Sequence, residues 1–174
     1  MKIGAFMATV TPDPAYIGHS TADDWVLGIG YQYTPGATNN EDYDTYMLVA
    51  AGIREHSGVI NTTSSENTYI RTSVKTTKTG AARQLTINGD RVFGDEAQDA
   101  ALASTELWGT GSTITHPYVY FNRLTGKGEK GWLDLIVNED VTGEASTNQQ
   151  FSIVGTSTET PEDFTYKAYV PPTP

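Results

Sequence analysis

Apolar and polar residues alternate with a period of two along much of the second half of the chain, the pattern of half-buried strands. In Arg83-Gln-Leu-Thr-Ile-Asn88, Leu85 and Ile87 face a core while Gln84, Thr86 and Asn88 face out, and Asn88-Gly89 marks a turn. Tyr118–Leu124 and Trp132–Asn138 read as two strands flanking Gly126-Lys-Gly-Glu-Lys-Gly131, which reads as a hairpin. In the second strand Leu133, Leu135 and Val137 form a regular core face. Its other face carries Trp132, Asp134, Ile136 and Asn138, too apolar a set for a purely wet surface. Gln150–Gly155 makes a last strand. Thr45–Ile53 is apolar on both faces and therefore predicts a strand covered on both sides.

One segment has a helical period. Asp95 is placed to cap it and Gln98 to complete a capping box, over residues 95–107. Ala97, Ala100, Ala101 and Leu107 lean to one side, with Trp108 as a core residue at the end and Gly109 as the stop. Three acids, Asp95, Glu96 and Asp99, sit in the first turn, where the helix dipole favours them.

The pattern fades elsewhere. Residues 1–42 form a poorly periodic arm punctuated by Pro12, Pro14, Gly28, Gly30, Pro35, Gly36, Asn39 and Asn40, with Trp25–Tyr33 able to supply one strand. Ser and Thr make up half of residues 61–80, and no acid occurs between Glu66 and Asp90. This predicts a long exposed loop or hairpin with Tyr69, Arg71, Ser73 and Lys75 on one face of an extended run, and Lys78 close by. Residues 157–174 are rich in Thr, Glu and Pro and end in Pro171-Pro-Thr-Pro174, which predicts an extended tail. The core domain is thus expected over 43–156.

Composition sharpens this picture. The chain of 174 residues suits one domain. Its 26 Thr and 10 Tyr favour pleated, half-buried surfaces, and its 17 Gly supply turns. A net charge of −10 argues against a reader of duplex DNA, which needs clustered Lys and Arg. The absence of cysteine excludes disulfides, thiolate catalysis and Cys-type zinc sites. No apolar run approaches the roughly 18 residues of a membrane span, and the N-terminal apolar stretch is short for a signal peptide. A soluble protein made in a cytoplasm is the expectation.

Catalytic chemistry finds no motif. Gly126–Gly131 lacks the spacing of a phosphate loop, and no helix follows it. Glu41-Asp-Tyr-Asp44 and Asn138-Glu-Asp140 lack the alternating ligands of a calcium loop. His19, His56 and His116 are far apart, and no nucleophile or acid–base pair can be named. The expectation is a protein without enzymatic activity, metal or cofactor. Trp25, Trp108 and Trp132 with the tyrosines leave open a sugar-binding platform in a β-sandwich, that is, a carbohydrate-binding or adhesin module.

The stretch from about 68 to 170 resembles the major tail tube proteins of long-tailed, siphovirus-like phages. The resemblance lies in a Thr-rich basic loop running into ARQLTINGDRVFGDEAQDAALAS, then PYVYFNRLTGKGEKGWLDLIVNED, then QQFSIVGTSTETPEDFTY. It implies a mainly β fold, a β-sandwich or small barrel flanked by one α-helix, with a long loop and extended N- and C-terminal arms. It also implies a virion protein assembled in the host cytoplasm, with hexameric rings stacked into the tail tube. Its partners would be other copies of itself, the tape-measure protein, the tail terminator and the baseplate or distal tail proteins. DNA would pass without specific binding and no membrane would be involved. On this reading Tyr69, Arg71, Lys75 and Lys78 are inter-subunit loop candidates. Asp134, Glu139 and Asp140 are candidate lumen acids, because an acidic wall repels phosphate.

Overall fold

The computed structural model describes residues 1–32 and 43–167. Tyr33, Pro35, Gly36, Asn39, Asn40, Glu41 and the Pro171–Pro174 end, all used in the sequence reading, lie outside the described residues. The protein is mainly β, with 51% of the described residues in strands, and among them one antiparallel sheet and three short α-helices. The strands are β1 (Trp25–Ile29), β2 (Met47–Leu48), β3 (Ile53–Tyr69), β4 (Thr72–Asp90), β5 (Thr115–Asn122), β6 (Lys127–Thr142), β7 (Gln150–Ser157) and β8 (Glu162–Thr165). The helices are α1 (Ile3–Met7), α2 (Glu96–Ala101) and α3 (Ser104–Leu107). The sheet order is β2-β1-β5-β6-β7-β4-β3, and β8 pairs with the first residues of β6.

The sheet curls so that one face closes on itself. Leu27 and Ile29 of β1 and Tyr118 and Tyr120 of β5 meet Leu85 and Ile87 of β4, with Leu133, Leu135, Phe151 and Ile153 between them. The His56 ring on β3 stands edge-on to Tyr120 across this interior, 5.9 Å between centroids. Ala97 and Ala101 of α2 are buried, and Ala101 belongs to this core, where a small-residue face allows close approach. A second core lies on the opposite face of β1 and β5, where Val26, Val119 and Phe121 pack against Ile3, Met7, Tyr46, Leu48 and Phe164.

Several sequence expectations change here. Residues 1–32 are not a detached arm. β1 is an interior strand between β2 and β5, and α1 covers its outer face, because Trp25–Ile29 has apolar residues for both sides of a sheet. The strand expected over 45–53 shrinks to β2, because Tyr43–Thr45 forms a helical turn and Gly52 turns the chain with φ +66°. Asn88-Gly89 does not turn. β4 runs on to Asp90, and a Cβ at Gly89 would come 2.8 Å from the Gly52 carbonyl oxygen, so glycine is there for close strand approach. The hairpin expected over 126–131 is tighter: the turn ends at Gly126, φ +70°, and Lys127–Gly131 already pair in the sheet. The predicted tail folds back as β8, anchored by buried Phe164.

The single helix over 95–107 is two helices. Asp95 caps α2, its carboxylate accepting from the Gln98 backbone N–H at 3.0 Å. Gln98 does not close a capping box. Its buried side chain instead donates to the carbonyls of Ala51 and Asp90 and accepts from the Val92 N–H, tying α2 to the sheet end. Ala103 is extended (φ −65°, ψ 152°) and resets the helical phase. Glu106 then faces inward and Trp108 faces solvent at 83% exposure, the reverse of its expected core position.

Candidate contact surfaces

β4 pairs with β7 only from Gln84 to Asp90. Before Gln84 it pairs with β3 alone, so residues 60–69 and 72–83 form a two-stranded ribbon with both outer edges bare of strands. At ~3.3 Å per residue the ribbon projects about 30 Å. Its side chains are exposed almost throughout, and a two-stranded ribbon in water is marginal by itself. The segment read as a long loop or hairpin is therefore a paired arm. It forms because alternating Thr, Ser and Val suit extended backbone even where nothing buries them.

The candidate contact residues fall at and near the arm's tip. The chain reverses at Ile70-Arg71, between paired Tyr69 and Thr72. Across that reversal Tyr69 still shares a surface with Ser73 and Lys75, the three lining one recess with Val74, while Arg71 sits in the turn itself. Lys75 pairs with Asn67 and Lys78 with Ser64 along an unbroken ladder three residues long, so the two lysines project from opposite faces. The arm's acid is Glu66, which accepts from the Thr76 hydroxyl at 3.4 Å.

The arm is rooted in a charge pair inside the curled sheet. Arg83 donates from Nε and Nη2 to the two Glu129 oxygens at 2.5 and 2.6 Å, and the Tyr118 hydroxyl donates to the same carboxylate at 3.1 Å. The hydrogen bonds to Glu129 push the Arg83 guanidinium above its usual pKa. Burial, with Glu129 alongside, pushes the Tyr118 phenol up as well. Arg83 shares the inward parity of Leu85 and Ile87, and Glu129 that of Leu133 and Leu135. Sequence reasoning missed this pair, because Glu129 falls in the Gly126–Gly131 segment that reads as a hairpin and not in an alternating strand. A second missed pair joins His116 to Glu106, where Nε2 donates to the carboxylate at 3.0 Å and both side chains are nearly buried.

The second surface is the half-exposed face of β4, β7 and β6 that points away from the core. One register row crosses it as Gln84, Thr156, Asp134 and Thr115, and the next as Thr86, Val154 and Ile136. Asp134 is held in that row by the Thr115 hydroxyl, which donates to Oδ1 at 2.6 Å. A register shift lies between Val137 and Glu139. It pairs Glu139 with Ser152 and so brings Glu139 onto the Asp134 face, where unbroken alternation would have turned it to the core. Asp140 is exposed beyond it, and the Gln149 side chain donates to its carbonyl at 2.9 Å.

The tryptophans make no common platform. Trp25 stacks on Tyr120 on the core face, 4.8 Å between centroids, while Trp132 lines a groove of about 700 Å³ on the opposite face with Phe164 and Glu162. Among the described residues no group of three or more His, Asp or Glu stands close enough to hold a metal ion. No helix among them is long and apolar enough to cross a membrane.

No family model and no curated protein matches the chain by sequence. Solved structures do match its fold. One is a chain of the tail of an empty gene transfer agent particle, obtained by helical refinement with C6 symmetry. The TM-score is 0.59 at 11% identity, over 85% of this chain and 100% of that one. Another belongs to the virion of a native gene transfer agent particle, with TM-score 0.53 at 11% identity, over 83% of this chain and 98% of that one. The likeness is one of fold, and it spans the whole length of the matched tail chain.

Proposed function

We propose that this chain is a structural tail protein of a phage-like particle, six copies forming a ring and rings stacking into a tube. The observation that carries the reading is the complete coverage of a chain from a C6-symmetric tail by this fold. The arm agrees with it: a bare ribbon about 30 Å long gains partners only outside its own subunit. Heterologous contacts of this kind close within a ring or continue along an axis. The Gln84–Thr156–Asp134 face is then the wall of the channel, hydroxyl-rich and acidic, past which DNA slides without being held. The tube grows around a tape-measure protein between a terminator and the distal tail proteins, in the host cytoplasm.

The test is negative-stain microscopy of the purified chain beside a variant lacking residues 62–79. The full chain is expected to form rings or tubes. The variant is expected to stay folded, because Asn61 and Gly80 lie above the Ile60–Arg83 pair and leave the cores untouched, and to form no tubes. A full chain that stays a monomer of 18.8 kDa and retains a glycan in the Trp132 groove would overturn the reading in favour of a sugar-binding module.

A further inference from the structure

The two most exposed projections of the sheet leave it at opposite ends. β4 and β6 both run antiparallel to β7 and so point the same way. The arm precedes the body of β4, whereas the β6–β7 hairpin, residues 137–149, follows the body of β6. The poles carry opposite charge. The arm beyond Arg83 holds Arg71, Lys75 and Lys78 against Glu66, and the hairpin holds Glu139, Asp140 and Glu144 with no Lys or Arg. The apolar content also matches. Ile70, Tyr69 and Val74 are exposed on the arm, and Val141 (67%) on the hairpin, with Ile136 (51%) just before it.

Backbone complementarity accompanies the charge. β5 leaves β6 after Thr115–Asp134, and the Leu135 N–H donates to the Ile114 carbonyl at 2.9 Å. Beyond Leu135 no strand among the described residues lies on the side of β6 away from β7, up to Thr142. The arm likewise offers a β4 edge with no strand beside it among the described residues, from Thr72 to Ala82, the Arg83 N–H being taken by the Ser157 hydroxyl. Two bare edges of opposite charge, at opposite ends of one chain, are the elements of strand addition between copies.

We propose that copies join head to tail, the basic arm of one lying along the acidic 137–149 hairpin of the next and adding a strand to the free β6 edge. This rests on the tube reading above and names the two surfaces that meet. Glu139 and Asp140, read from the sequence as channel acids, belong to this junction at the rim of the wall, and Asp134 stays on the wall. The arrangement also explains how chains of net charge −10 associate. At physiological salt the screening length is about 8 Å, so the local poles decide and the overall repulsion does not.

The test reverses the poles of the full-length chain. One variant is Arg71→Glu, Lys75→Glu, Lys78→Glu, and the other is Glu139→Lys, Asp140→Lys, Glu144→Lys. All six side chains are exposed, so both variants are expected to melt like the parent. Each alone is expected to lose assembly into pelletable particles by about tenfold or more, since like charges meet. An equimolar mixture is expected to assemble, because each variant's arm then opposes the other's hairpin. Two outcomes overturn the inference while leaving the tube reading standing: both single variants assemble normally, or the arm variant fails and the mixture stays unassembled. If the parent chain forms no rings or tubes, the tube reading falls and takes the inference with it.

Discussion

The body of the sheet and the arm are the same secondary structure held together by different physics. In the body the interior strands have a neighbour on each side, and two apolar cores lie on opposite faces of β1 and β5. In the arm the same β3–β4 ladder continues for ten more residues past the last β7 pair with nothing buried on either face. Backbone pairing can therefore extend well beyond the region that burial stabilises. Where it does so, the strand is an offer of surface, and its stability belongs to the assembly.

Three measurements on the monomer separate the two regions. Phe121 is fully buried in the outer core, and Phe121→Ala should cost about 3–5 kcal/mol, whereas Val74→Ala on the arm should stay within about 0.5 kcal/mol. Chemical denaturation of both variants checks this. A comparable loss at Val74 would show that the arm is packed in the monomer and dissolve the contrast.

The next effect lies at the root joining the regions. Glu129→Gln leaves Arg83 inside the curled sheet without its carboxylate and should cost about 3 kcal/mol, the low end for breaking a buried pair, since both groups keep some exposure. Replacing the pair together, Arg83→Met with Glu129→Leu, should recover most of that loss in the same unfolding experiment. A pair that costs equally to break or to replace would mean that the arm's root depends on the charges themselves.

The smallest effect is a pH dependence confined to the body. Burial holds the His56 imidazole below its ordinary pKa, and its Nδ1 has no hydrogen-bond partner among the described residues. The unfolded chain then binds a proton more readily than the folded one. His56 thus contributes stability that is present above about pH 6.5 and is lost as pH falls from there through the folded value. Melting curves between neutral and mildly acidic pH should show this slope, and His56→Gln should flatten it.

Much of the body was legible because alternation is a local signal. Leu85, Ile87, Leu133 and Leu135 all point into the core as their spacing requires, and Asp95 caps its helix. A strand within Trp25–Tyr33 was legible, but its interior place between β2 and β5 was not, because apolar residues on both faces name no partner. The broken helix was hidden because Ala-Leu-Ala-Ser is a good helical run, and the break at Ala103 turns Glu106 onto buried His116. On the contact surfaces the basic residues of the arm were visible, but the reversal at Ile70-Arg71, which folds one extended run into two paired strands, was not.

The sequence by itself determined a mainly β chain, the inward positions of its central strands, a polar and basic segment with no core of its own, and an excess of acid elsewhere. These follow from period, composition and charge, which are properties of neighbouring residues. Only the tertiary structure decided which strands lie side by side, that one sheet curls to enclose Arg83 and Glu129, and that a register shift turns Glu139 onto the Asp134 face. It alone placed the basic arm and the acidic hairpin at opposite ends. Strand order and register are set by contacts between residues distant in the chain. No local pattern encodes which distant edge a strand will find, so those features exist only once the sheet has formed.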